Sequence, residues 1–62
     1  MLNFKDFVRL FLDNPNWHGY MEHRSDFEKV IEVNEAFDFY KAYDKTGFDF
    51  DQFCEDYWHQ PA

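Results

Sequence analysis

The sequence predicts an all-α fold, a small bundle of three main helices over residues 3–13, 25–45 and 49–59. Apolar residues recur at helical spacing in each of these segments, and each segment opens with a residue type that caps helix N-termini well. Aromatic residues make up 24% of the 62-residue chain, which supplies a large apolar area for its size. We expect a single domain over residues 1–62, because the sequence contains no linker, repeat or low-complexity tract.

In the first predicted helix, the apolar residues fall at i, i+3, i+4 and i+7, which places them on one helical face. They are Phe4, Phe7, Val8 and Phe11. Asn3 precedes them and is a favourable N-cap. Asn14 and Pro15 predict the end of this helix. The segment NPNWHGY, residues 14–20, is expected to be a loop because it shows no helical periodicity.

The second predicted helix begins at Ser25, whose spacing to Glu28 is that of a capping box. Its apolar stripe comprises Phe27, Val30, Val33, Phe37 and Tyr40 and continues to about Tyr43. Several β-branched residues favour extended structure locally, so a short strand over residues 30–34 stays open as an alternative. Gly47 is well placed as a left-handed C-terminal cap.

The third predicted helix has the cleanest amphipathic pattern, with apolar residues at i, i+3, i+4, i+7 and i+8. They are Phe50, Phe53, Cys54, Tyr57 and Trp58. Asp49 as N-cap places Gln52 at the spacing of a second capping box, and Phe48 is placed to pack on Phe53 as a hydrophobic staple. We expect Phe53 and Tyr57 to be largely buried.

Composition limits the partners of this chain. Thirteen acidic residues against six basic ones give a net charge of -7. Such a balance repels nucleic acid and anionic lipid, so we expect no direct nucleic-acid binding and a basic partner. The longest apolar run is three residues, whereas a membrane span needs roughly 20. The single Cys54 allows no internal disulfide and, with an N-terminal segment unlike a signal peptide, predicts a cytoplasmic protein.

The sequence does not predict a metal site or a catalytic site. An EF-hand alignment that puts Glu55 at the last ligand position leaves Phe48 at a ligand position and Asp49 where the turn needs glycine. His18 and His23 have a spacing known from zinc sites, but only one cysteine accompanies them. The acidic residues are interpreted as a solvated face rather than as paired catalytic carboxylates. We therefore expect no enzyme activity, no cofactor and no metal.

Charge is distributed unevenly along the chain. Residues 1–25 hold three acidic and three basic residues, whereas residues 26–56 hold ten acidic and three basic ones. The second and third helices are therefore predicted to present an electronegative surface that binds a partner. The predicted surface consists of Glu28, Glu32, Glu35, Asp38, Phe39, Tyr43, Asp49, Asp51, Glu55 and Asp56. Phe39 and Tyr43 lie off the main apolar stripe and are expected to be exposed interface anchors.

No family motif covers this chain. In its small size, acidic charge, single cysteine and aromatic content it resembles, as a class, the inhibitors that bacteriophages and mobile elements use. Some of those proteins block antiviral nucleases or other nucleic-acid-binding proteins by mimicking DNA, certain anti-CRISPR and anti-restriction proteins among them. Because composition alone carries the resemblance, it implies an acidic inhibitor but assigns no role to any particular residue.

The leading hypothesis is a non-enzymatic binding protein that inhibits or regulates a basic partner, such as a nuclease or another nucleic-acid-binding protein. The alternative is a small structural or adaptor protein, a homodimer whose surplus aromatic residues close a shared core. Salt distinguishes the two. Binding through the acidic surface weakens as ionic strength rises, whereas apolar self-association holds or strengthens.

Overall fold

The structure, a computed structural model, describes residues 2–43 and 49–59. Its described part contains helices and no strand: α1 Phe4–Asp13, α2 Pro15–Met21, α3 Asp26–Ala42 and α4 Phe50–Trp58. The all-α class is thus confirmed, but the described residues form four helices, whereas the sequence predicts three main helices. Residues 30–34 lie inside α3, so the alternative of a strand there is wrong.

The N-caps of α1, α3 and α4 are the residues that the sequence predicts. Each side chain accepts a hydrogen bond from a backbone N–H of the first turn, a group that has no partner within the helix. The bonds run from the N–H of Asp6 to Asn3 (2.8 Å), from that of Glu28 to Ser25 (3.2 Å), and from that of Asp51 to Asp49 (2.9 Å). Three helix starts are therefore fixed by local chemistry.

Some details of the predicted helix ends differ. The α3 helix ends at Ala42, with Tyr43 as its C-cap, and is therefore shorter than predicted. The side chain of Gln52 donates to Asp56 at 2.9 Å rather than bonding to the backbone of the N-cap Asp49. The capping box predicted for α4 is therefore absent. The predicted roles of Gly47 and Phe48 fall outside the described residues.

The segment predicted to be a loop is the helix α2. Asn14 caps two helices: its backbone N–H donates to the carbonyl of Phe11 at 3.3 Å, and its side chain accepts from the N–H of Asn16 at 2.9 Å. Pro15 follows at the first helical position, where its missing N–H costs nothing. Trp17 and Met21, buried residues one turn apart, hold α2 on the core.

The core is built mainly of aromatic rings. Phe7, Phe11, Phe53 and Cys54 have no exposed area. The ring of Phe53 lies 5.8 Å from that of Phe7 on α1 and 5.4 Å from that of Tyr40 on α3, so α4 joins both helices. The burial predicted for Phe53 and Tyr57 is confirmed, with Tyr57 only 9% exposed.

The apolar stripe predicted for the second helix is not buried in its first half. Val33 and Tyr40 are buried as predicted, but Phe27 is 74% exposed and Val30 is 60% exposed. Ile31 is 43% exposed. Helical spacing places residues on one face but does not supply a neighbour to cover that face, and no described element covers the side chains of Phe27 and Val30.

Candidate protein-binding surface

Three of the predicted acidic residues surround one depression. This acidic depression, about 300 Å³ in volume, lies between the turn that follows α2 and the first half of α3. Its lining consists of Met21, Arg24, Glu28, Ile31, Glu32 and Glu35. Three carboxylates therefore share one concave surface with a single guanidinium and two apolar side chains. The helical spacing of i, i+4 and i+7 brings the three together, as the sequence indicated.

The three carboxylates differ in their partners. The carboxylate of Glu28 accepts hydrogen bonds from Arg24 Nη1 at 3.4 Å and from Ser25 Oγ at 3.2 Å. Glu32 accepts a hydrogen bond from the hydroxyl of Tyr57 on α4. Glu35 is exposed and makes no ion pair with any residue in the described ranges. Glu35 thus contributes the carboxylate that is most available to an external cation.

The Tyr57 hydroxyl fixes the position of Glu32. Burial raises the pKa of Tyr57, and the hydrogen bond to Glu32 raises it further, so the hydroxyl keeps its proton at neutral pH. A protonated hydroxyl donates to the carboxylate and holds it at the α3–α4 boundary. Glu32 is therefore a structural acceptor as well as a source of negative charge.

The other predicted acidic residues are spread over the molecule. Asp38 pairs with Lys41 at 3.3 Å, and Asp49 caps α4. Glu55 accepts from the amide of Asn16 on α2 and lies 3.3 Å from His59. The remaining two lie elsewhere on α4: Asp51 is exposed in its first turn, and Asp56 accepts from the Tyr43 hydroxyl. The predicted ten-residue surface is therefore not one continuous ridge.

Phe39 and Tyr43 do not match the expectation of exposed anchors. Both side chains are half-buried and pack against the core. Their rings lie 5.7 Å and 5.3 Å from that of Phe53, and the Tyr43 hydroxyl donates to Asp56. They lie off the main stripe because α3 has two neighbours, and this flank of the helix packs on α4.

An apolar groove between α1 and α3 was not predicted. It has a volume of about 380 Å³, and its lining consists of Phe4, Val8, Leu12, Trp17, Lys29, Val30, Val33 and Asn34. The amide of Asn34 already donates to the Val30 carbonyl at 2.8 Å, so this polar group is satisfied within α3. One feature of the sequence points to the groove: the apolar residues of the second predicted helix extend over more than one of its faces.

The two depressions lie on either side of a narrow ridge. Val30 lines the apolar groove, and its sequence neighbour Ile31 lines the acidic depression. Phe27, one turn before Ile31, is the most exposed large apolar residue in the described part of the chain. The first half of α3 thus combines exposed apolar side chains with carboxylates, the combination found at interface anchors and their rims.

The thiol of Cys54 is buried in the core. Burial, together with the charges of Asp51 and Glu55, raises the pKa of the Cys54 thiol to about 12, so the thiol is protonated at neutral pH. Within residues 2–43 and 49–59, no three His, Cys, Asp or Glu side chains are arranged to hold a metal ion. No helix among the described residues combines the length and apolar character needed to cross a bilayer.

Comparisons of the chain with protein-family models, curated proteins and solved structures found no match. The function is therefore inferred from the contacts, exposure and charge of the residues described above. Among these features, the acidic depression and the adjoining apolar groove are two concave surfaces formed by described residues.

Proposed function

We propose that this chain is a non-enzymatic protein that binds a basic partner protein and thereby inhibits or regulates it. The observation that carries the proposal is the acidic depression, where Glu28, Glu32 and Glu35 face one guanidinium beside exposed apolar residues. Grouped carboxylates beside apolar anchors suit a cationic protein surface. The net charge of -7 adds long-range attraction to such a partner.

A nucleic-acid-binding protein is the partner class that fits this charge best, because its binding surface must itself be basic. Glu28 and Glu35 are seven residues apart, about 10 Å along the helix axis. Three carboxylates over that length give one charge per roughly 5 Å, sparser than the roughly 3.4 Å spacing along one DNA strand. The proposed inhibitor therefore covers a basic surface without reproducing phosphate spacing closely, and a strict DNA mimic would need further acidic residues.

Cys54 supports both the binding role and the location proposed here. A protonated, buried Cys54 offers no nucleophile, which supports a binding role rather than catalysis. A lone cysteine without a disulfide partner suits a reducing compartment, so we place the protein in the cytoplasm as part of this proposal.

A homodimer is the second candidate. The observation that favours it is the exposure of Phe27, Val30 and Ile31 on adjacent turns of α3. A second copy would cover these side chains and act as a structural or adaptor unit. Dimerisation also brings together two chains that each carry a net charge of -7, which opposes association at low salt.

The test is capture of partners from a nuclease-treated lysate of the organism that encodes the chain, over a series of salt concentrations. The charge variant carries Glu28→Gln and Glu35→Gln, and leaves Glu32 in its bond to Tyr57. The matched control carries Asp6→Asn and Asp13→Asn on α1, which removes equal charge away from the depression. Sedimentation of the wild-type chain alone measures dimerisation.

We expect basic proteins to be captured at low salt and released as the salt concentration rises. Capture should fall strongly with the charge variant, by slower association, and little with the control. Equal capture by both variants, or a captured set that is not basic, would contradict the proposed function.

A further inference from the structure

We infer that the apolar groove between α1 and α3 is the docking site for an amphipathic, basic helix of the partner protein. This inference rests on the proposed function and names the partner's recognition element. The acidic depression supplies charge attraction, whereas the groove and the exposed part of α3 supply apolar contact. The two surfaces adjoin at Val30 and Ile31.

The shape of the groove suits a helix. Its α1 wall runs from Phe4 through Val8 to Leu12, and its α3 wall includes Val30 and Val33. Residues 4 and 12 of α1 are about 12 Å apart along the helix axis, the length of two helical turns. An amphipathic helix presents anchors at i, i+3 or i+4, and i+7 over that length, which matches helix-in-groove recognition.

The exposed apolar residues provide the contact that such a helix would bury. Val30 is 60% exposed, Phe27 is 74% exposed, and Phe4 on the opposite wall is 42% exposed. Burying apolar surface contributes about 25 cal/mol per Å², so these side chains favour a partner that covers them. Within the described residues no side chain fills the groove. The side-chain amide of Asn34, which lines it, already donates a hydrogen bond to the Val30 carbonyl.

Charge selects among the possible occupants. Glu28 and Glu35 line the depression beyond Ile31, so a helix lying over this ridge gains when its flank on that side carries Lys or Arg. On the other side the groove is lined by Lys29, which disfavours a cationic flank there. The fitting occupant is therefore a helix with an apolar face and cationic residues along one flank. A second copy of this chain carries a net charge of -7 and fits less well.

The test uses a synthetic peptide of about 18 residues, long enough to form a helix in isolation. Its leucines recur at i, i+3, i+4 and i+7, with lysines along one flank. A control peptide has the same composition with its leucines dispersed. Binding to the 62-residue chain is measured by titration calorimetry at low and high salt, and sedimentation of the free chain measures its oligomeric state.

Three variants locate the bound peptide. The groove variant carries Phe4→Ser and Val30→Ser, which change one exposed side chain on each wall of the groove, and Leu10→Ser removes a 41%-exposed apolar side chain that lines neither depression. The charge variant is Glu28→Gln with Glu35→Gln. We expect the groove variant to weaken binding roughly tenfold or more, and Leu10→Ser to change it less than about twofold. The dispersed peptide should bind weakly to all of them.

Each other outcome overturns the inference in a distinct way. If the peptide binds and only the charge variant weakens it, the groove is not the site, while the proposed function stands. If the groove variant alone weakens binding and salt has no effect, the acidic depression does not contribute to binding, which contradicts both the cationic flank inferred here and the role proposed for the depression. If no peptide binds and the chain is a dimer that the groove variant dissociates, the occupant is a second copy. If no peptide binds and the chain is a monomer, the groove does not bind a helix of this kind.

Discussion

The two halves of α3 carry comparable apolar side chains but differ in what covers them. In the first half, Phe27 is 74% exposed and Val30 is 60% exposed. In the second half, Ala36 has no exposed area and Tyr40 is 4% exposed, because α1 and α4 pack on that part of the helix. Apolar character alone therefore does not determine burial.

The size of the chain explains the difference. A domain of about 60 residues buries only about 60% of the surface that its unfolded chain exposes. Phe7 of α1 and Phe53 of α4 both pack against Tyr40 in the second half of α3. In the first half of α3, Phe27 and Val30 remain mostly exposed. The second half of α3 thus belongs to the core, whereas the first half keeps exposed apolar side chains. Four experiments test this division.

The largest effect is expected in the covered region. Phe53→Ala removes a ring with no exposed area that contacts α1 and α3, and should cost about 3–5 kcal/mol. So small a core rarely supplies more than about 3–5 kcal/mol in total, so this variant should be largely unfolded at 25 °C. Urea denaturation followed by circular dichroism measures the loss, with Phe53→Leu as the milder variant. A loss below about 1 kcal/mol for Phe53→Ala would contradict the assigned core.

A smaller effect is expected where the two halves meet. Tyr57→Phe removes the hydroxyl that donates to Glu32 and keeps the ring in place. Hydrogen bonds to charged groups contribute about 1.5–3 kcal/mol, and the partial exposure of Glu32 lets water replace part of this, so we expect a cost of about 1–2 kcal/mol. Urea denaturation near pH 7 measures it. An unchanged free energy of unfolding would mean that the hydroxyl does not hold Glu32.

High pH should weaken the covered region through Cys54. Its pKa in the folded chain is raised to about 12, so folding favours the protonated thiol. That stabilisation is fully present below the unfolded pKa of about 8.5 and is lost as pH rises toward 12. The melting temperature should therefore fall between about pH 8 and pH 10.5. Cys54→Ala should show a smaller fall over this range, and parallel falls for both proteins would contradict the assigned environment of the thiol.

The smallest effect on stability is expected in the uncovered half. Phe27→Ser changes a mostly exposed side chain, so the free energy of unfolding should change by no more than about 0.5 kcal/mol. Urea denaturation of this variant, alongside Leu10→Ser as a second exposed position, provides the measurement. A loss above about 2 kcal/mol would show that Phe27 is buried in solution, by a second copy or by another part of the chain.

Helix starts were predictable from the sequence because capping is local. Asn3, Ser25 and Asp49 each bond to an N–H within three residues, so the spacing in the sequence determines the contact. The same chemistry was present at Asn14 and Pro15, a favourable N-cap followed by proline at the first helical position. The sequence nevertheless predicts a loop there, because α2 is only seven residues long and too short to show clear periodicity.

The faces of α3 were harder to predict because tertiary contacts decide them. Periodicity grouped Phe27 with Val33 but contained no information on where α1 and α4 end. The sequence predicts that Phe39 and Tyr43 are exposed, yet their rings contact Phe53, because α3 packs against both α1 and α4. The acidic depression was partly predictable, since three carboxylates at helical spacing share a face, but the groove needed two helices placed in space.

The double cap at Asn14 has a consequence for the speed of recognition. Because one residue ends α1 and begins α2, no linker separates Leu12 from Trp17, and this corner of the groove is formed before any ligand arrives. A preformed site does not lose the entropy of ordering a loop on binding. Association should then follow a single kinetic step whose rate rises with opposite charge on the partner and falls with added salt.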